Sequence, residues 1–211
     1  MKKILLLGDS IRIGYDKYVK IAFEDIAQVD YPSENCRFSS YTLRRIYDYK
    51  NELECGDDVD LIHWNTGLWD SLRLLDGKTH TPIEYYKNNI ERICTILKIL
   101  YPDAKMIFAT STPVQEHLFG DLKRINSDIE AYNAAAVEIV TKHGGKINDL
   151  YSLMKNCPSE YYTDSTHFYT KDGTKLITGQ VISYIENALG IKAKKPDYDA
   201  LFDKEKDVIG I

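Results

Sequence analysis

The chain has 211 residues, with 27 lysines and arginines against 32 aspartates and glutamates, a formal net charge of -5. That length suits one domain with a covered sheet and a pocket, and dispersed basic residues on an acidic chain argue against a nucleic-acid partner. The apolar run after the two N-terminal lysines, Ile4 to Leu7, is too short for a signal-peptide core or a membrane span, which predicts a cytoplasmic protein with no membrane partner.

In chain order, strand-like runs occur at KKILLLG, IAQVDYP, DVDLIHWN, AKMIFATST and GGKINDLY. The stretches between them mostly space their apolar residues as helices do, and this alternation predicts a parallel sheet with helices on both faces. A helix is expected over 82–101, where Ile83, Tyr86, Ile90, Ile93, Leu97 and Leu100 recur at three- and four-residue steps and Pro82 suits a first turn. A second is expected over 125–143, closed by Gly144 and Gly145, and a third over 173–189, closed by Gly190. Right-handed crossovers between five such strands give a doubly wound, three-layer α/β/α sandwich around a five-stranded parallel sheet. Residues 1–191 form its body. The segment 192–211 is charged and broken by Pro196 but keeps Tyr198, Leu201, Phe202 and Val208, and is expected to pack back on the domain.

Cys36, Cys55, Cys94 and Cys157 stand far apart, with no CxxC pair and no histidine at metal-ligand spacing. They read as reduced thiols, and no metal or organic cofactor is expected. There is no GxxxxGK[ST] loop, no GxGxxG after the first strand and no GxSxG elbow.

The first strand ends at LLLGDS. Gly, Asp and Ser make turns and cap helices in any protein, so Ser10 alone reads more readily as a cap than as a nucleophile. The far end of the chain adds YYTDSTHFYTKDG, with Asp164 three residues before His167. A serine hydroxyl needs an imidazole to take its proton, and the imidazole needs an acceptor on its other nitrogen. Separately, Asp164 is an ordinary turn former and His167 an ordinary loop histidine. Together, between the last strand and the last helix, they emerge on the same sheet edge as Ser10.

These motifs resemble the SGNH hydrolases, also called the GDSL esterase or lipase family, from LLLGDSIRIGY at the start to DSTHFYTKDGTKLITGQVISYI near the end. The resemblance implies a flavodoxin-like sandwich, with Ser10 as nucleophile, His167 as base and Asp164 as its partner. Two internal blocks depart from the family pattern. The glycine that usually follows the second strand and binds the oxyanion through its N–H is missing from ENCRFSSYTLRRI, which leaves the backbone of Cys36 or Arg37 as the donor. In DLIHWNTGLWDS, Gly67 and Asp70 fit the outer positions of the family's GxND, and Trp69 stands where its asparagine would be. Asn65 is the nearest amide and the expected replacement donor, with the Trp69 indole as the fallback. Asp9 reads as a turn-holding side chain and His63 as a satisfied interior histidine.

The implied activity is a serine esterase acting through an acyl-enzyme on short acyl esters, acetyl among them, of a small molecule or a carbohydrate. Tyr161, Tyr162 and Tyr169 around the DxxH turn are either sugar-stacking rings or ordinary wall. Two alternatives stand beside this reading: an acyltransferase on the same fold, and a noncatalytic binding module with degenerate oxyanion blocks. No oligomeric state is read from the sequence.

Overall fold

Each apolar run becomes a strand of one sheet: β1 (Lys2–Leu7), β2 (Ala27–Asp30), β3 (Leu61–Trp64), β4 (Lys105–Ala109) and β5 (Lys146–Asn148). The computed structural model describes residues 1–205. All four strand pairings are parallel, in the order β2-β1-β3-β4-β5. This is the flavodoxin-like winding. Leu7 lies opposite Trp64, and Trp64 opposite Phe108, so these three strands end on one edge.

The helices are α1 (Ser10–Ile13), α2 (Asp16–Ala22), α3 (Ser39–Glu52), α4 (Ile83–Leu100), α5 (Asn126–Lys142), α6 (Leu150–Met154), α7 (Lys171–Leu189) and α8 (Tyr198–Glu205). They form two layers because the strands are apolar on both faces. Ile4 and Leu6 of β1 enter a core with Val19, Leu150, Ile177 and Val181, whereas Leu5 and Leu7 enter the opposite core with Ile46, Ile90, Ile93 and Leu97. Alternation along a strand thus feeds both cores, and a continuous apolar run is what a doubly covered strand requires.

The three long helices expected from spacing lie within two residues of their expected ends. Pro82 stands at the N-cap of α4, just before its first turn. Thr170 caps α7, its hydroxyl accepting from the Gly173 N–H at 3.2 Å, and Gly190 closes that helix in the left-handed conformation. Helices α1, α2 and α6 span only four to seven residues, too short to show a spacing pattern, and are defined by what they pack against. All four cysteines are free thiols, three buried and Cys157 half-buried. No helix among the described residues is long and apolar enough to cross a membrane.

After α7 the chain returns to α2, where the Lys194 N–H donates to the Ala22 carbonyl at 2.7 Å. Tyr198 is buried 5.6 Å from the Tyr18 ring, and Phe202 stacks on the same ring at 5.7 Å. Val208 lies outside the described residues.

Candidate active site

The winding reverses between β1 and β3, and the crevice beyond their carboxyl ends is where a ligand fits such a sheet. Ser10 follows β1 as the first residue of α1, and Asn65 follows β3 directly. Asp9 caps α1: its Oδ1 accepts from the Ile11 N–H at 3.0 Å and from the Asn65 amide at 2.8 Å. Burial raises the Asp9 carboxyl above the ordinary range, against the bonds from Asn65 and Ile11 and the charge of Arg124. Gly8 must be glycine because a Cβ there would stand 1.9 Å from the Asn65 Oδ1 and 2.8 Å from the Arg12 Cβ.

The DxxH turn is built by Asp164 itself. Its Oδ1 accepts from the N–H groups of Thr166 (2.6 Å) and His167 (2.8 Å), while the Thr163 N–H closes the turn on the His167 carbonyl at 2.8 Å. The Gln115 N–H, donating to the Ser165 carbonyl at 2.9 Å, ties this turn to the segment after β4. The other Asp164 oxygen lies 2.7 Å from the His167 Nδ1, and the His167 Nε2 lies 2.8 Å from the Ser10 Oγ. Burial pushes the Asp164 carboxyl up, but its bonds from the His167 ring and the two backbone N–H groups outweigh this and hold it below the ordinary value. The Tyr169 ring stacks 4.8 Å from the His167 ring, and its hydroxyl donates to the Ser10 carbonyl at 2.6 Å. Residues from both ends of the chain therefore meet at hydrogen-bond distance.

The second block differs from expectation. The Cys36 N–H donates to the Gly8 carbonyl at 3.0 Å and the Arg37 N–H to the Asn35 side chain at 2.7 Å, so neither is free to face an oxyanion. Arg37 has φ 52, the left-handed conformation that a glycine would adopt without a Cβ penalty. The Cys36 side chain is fully buried and burial raises its thiol, as in a packing cysteine.

In the third block, Asn65 is buried and spends one amide hydrogen on Asp9. The half-buried Trp69 indole N–H has no partner among the described residues. Asp70 is buried and accepts from the Ser39 N–H at 2.9 Å, holding the loop after β3 to the start of α3. Gly67 has φ 130 and faces Tyr86, where a Cβ would come within 2.9 Å of the phenol oxygen. No acceptor for the Ser10 N–H is found among the described residues.

Two arginines at this edge escaped sequence reasoning. Arg12 is fully buried two residues after Ser10; its guanidinium pairs with Asp16 and donates to the carbonyls of Pro32 (3.0 Å) and Glu34 (2.6 Å), fastening the second block beside the nucleophile turn. Its signal was an arginine between two isoleucines in DSIRIGY. Arg124, half-buried, donates from Nε to the Leu68 carbonyl at 2.6 Å, and nothing in its local sequence marked it.

The tyrosines of the DxxH region act mainly as wall. Tyr162 packs 4.0 Å from the Phe168 ring, Tyr161 lies against the same core, and Tyr169 covers His167. His63 is fully enclosed, with Nδ1 3.2 Å from the Tyr15 hydroxyl and Nε2 3.0 Å from the Asn148 amide, a satisfied interior histidine.

No protein-family model matches the chain. Among individual proteins, the human isoamyl acetate-hydrolyzing esterase 1 homolog is 27% identical over 192 residues, spanning 80% of this chain and 75% of that protein. A GDSL esterase/lipase of Arabidopsis thaliana is 23% identical over 227 residues, spanning 96% and 93%. Among solved structures, a lipase/acylhydrolase from Enterococcus faecalis superposes with a TM-score of 0.69 at 22% identity, over 93% of this chain and all of that one. An acetyl xylan esterase gives 0.68 at 16%, over 87% and 99%. The chain thus has the fold of these solved hydrolases and is similar in sequence to GDSL esterases and lipases, the SGNH hydrolases.

Proposed function

We propose that the protein is a serine esterase that hydrolyses short acyl esters through an acyl-enzyme, with Ser10 as nucleophile, His167 as general base and Asp164 as the partner of the imidazole. The observation that carries this reading is the continuous chain of bonds from the Asp164 carboxylate through both His167 nitrogens to the Ser10 Oγ. Asp164, held ionised by its donors, orients the ring with Nδ1–H toward itself and leaves Nε2 to accept the serine proton.

The Ser10 Oγ attacks the ester carbonyl as its proton passes to Nε2, and the carbonyl oxygen becomes an oxyanion. The Ser10 N–H and the second amide hydrogen of Asn65 are the donors assigned to that oxygen, with the Trp69 indole as the fallback for Asn65. Collapse breaks the ester bond; the imidazolium protonates the leaving alkoxide and the acyl group stays on Ser10. Water, losing a proton to the same Nε2, then releases the acid and restores the serine.

Acetyl esters of carbohydrates are the substrates to try first, because an acetyl xylan esterase shares the fold. The test compares wild type with Ser10→Ala on p-nitrophenyl acetate and a panel of acetylated sugars, with thermal unfolding as a check on the fold. Loss of hydrolysis and of labelling by a fluorophosphonate in a folded Ser10→Ala protein is expected. Undiminished hydrolysis by that variant would remove Ser10 from the mechanism.

A further inference from the structure

The terminal nitrogens of the other packed arginines are provided with acceptors. Arg12 has Asp16 and backbone carbonyls, Arg45 has Glu34, Asp48 and Glu52, and Arg73 has both oxygens of Asp128. Arg124 departs from this pattern. Its Nε is bound to the Leu68 carbonyl, in the loop that runs from Asn65 to Asp70, yet among the described residues neither terminal nitrogen has a hydrogen-bond acceptor or a carboxylate partner. Those nitrogens are not sealed from solvent and are open to a ligand, and burial of the rest of the side chain weakens the hold of this guanidinium on its proton, against the opposing fields of Asp9 and Asp164. Asp9 adjoins Ser10 in the chain and Asp164 holds the imidazole that meets the Ser10 Oγ, so the charge of Arg124 acts on the same crevice.

A structural clip would need only the Nε bond. Arginine supplies in addition a planar pair of terminal donors whose spacing matches the two oxygens of a carboxylate. An acidic chain with Asp9 and Asp164 at the site would otherwise repel an anionic substrate.

We infer that Arg124 is a specificity-determining residue whose two free terminal nitrogens receive a carboxylate carried by the ester substrate. The inference rests on the esterase reading and deepens it: the preferred substrate is an anionic ester. The carboxylate sits on either the acyl or the alcohol side.

Two substrate pairs separate those sources: p-nitrophenyl butyrate against p-nitrophenyl hemisuccinate for an anionic acyl group, and phenyl acetate against 4-acetoxybenzoate for an anionic alcohol. In one pair, the ratio of kcat/KM for the anionic over the neutral ester should fall at least tenfold in Arg124→Gln and less in Arg124→Lys. A ratio unchanged within threefold in both pairs overturns the inference, including the case where both esters of a pair lose turnover together, as loss of a mere loop clip would produce.

Binding to folded Ser10→Ala protein, which needs no turnover, gives the second readout. Succinate or 4-hydroxybenzoate should bind it at least tenfold more tightly, by calorimetry, than the Ser10→Ala, Arg124→Gln double variant. Absent or equal binding of both probes overturns the inference, whereas absent turnover of the neutral esters by wild type speaks against the esterase reading alone.

Discussion

Replacing His63 with glutamine should flatten the acid side of the stability profile, by an amount that follows from its surroundings. The ring, carried by β3, is fully buried between Tyr15 and Asn148, and burial pulls its titration from 6.5 down to about 3. The hydrogen bonds act in the same direction: the Asn148 amide donates to Nε2, and the Gln180 amide, donating to the Asn148 oxygen at 2.8 Å, keeps Asn148 from turning over. A proton on Nε2 would set two donors face to face. Because the folded value is depressed, the unfolded chain takes up a proton first as the pH falls below 6.5, and stability present above that pH is lost progressively down to about 3. At 1.36 kcal/mol for each pH unit of full difference, the loss between pH 7.5 and pH 5.0 comes to about 2 kcal/mol, or a fall in Tm on the order of 4–8 °C for a chain of this size. Urea unfolding at a series of pH values, for wild type and His63→Gln, measures it. Buried carboxylates such as Asp9 and Asp70 titrate in both proteins and cancel in the difference. Parallel stability curves for the two proteins would refute the assignment of a neutral, desolvated His63.

At the site, Asp164→Asn should lower kcat on the order of 10³–10⁴-fold on p-nitrophenyl acetate with little change in KM, since an amide no longer fixes the tautomer or offsets the imidazolium charge; stopped assays at saturating substrate check this. Asn65→Ala should cost roughly 100- to 1,000-fold in kcat as one oxyanion donor is lost, and a loss below tenfold would shift that role to Trp69 or a rearranged second block. Arg12→Met should destabilise the fold by about 3–5 kcal/mol in urea, because it leaves Asp16 buried without its partner and frees the carbonyls of Pro32 and Glu34.

Strands, layers and the DxxH turn were legible in the chain because each rests on local pattern, and the pairing of that turn with Ser10 followed from the parallel sheet those patterns imply. Apolar runs of four to six residues report strands that are covered on both faces, three- and four-residue spacing reports the long helices, and the Asp164-to-His167 interval is a turn that one carboxylate can close by itself. What the chain alone left open were groups whose role depends on the other partners available to them. Whether the Cys36 N–H faces a substrate or the Gly8 carbonyl, and whether Asn65 has both amide hydrogens free, is decided by how the loops after β1, β2 and β3 come together, across dozens of intervening residues. The same holds for Arg12 and Arg124, arginines alike in sequence but not in surroundings: one has both terminal nitrogens occupied by the fold and the other keeps both without acceptors among the described residues. Hydrogen-bond capacity belongs to the residue type, but its allocation is a property of the packed tertiary structure, since a buried donor bonds to whatever acceptor the fold brings within about 3 Å.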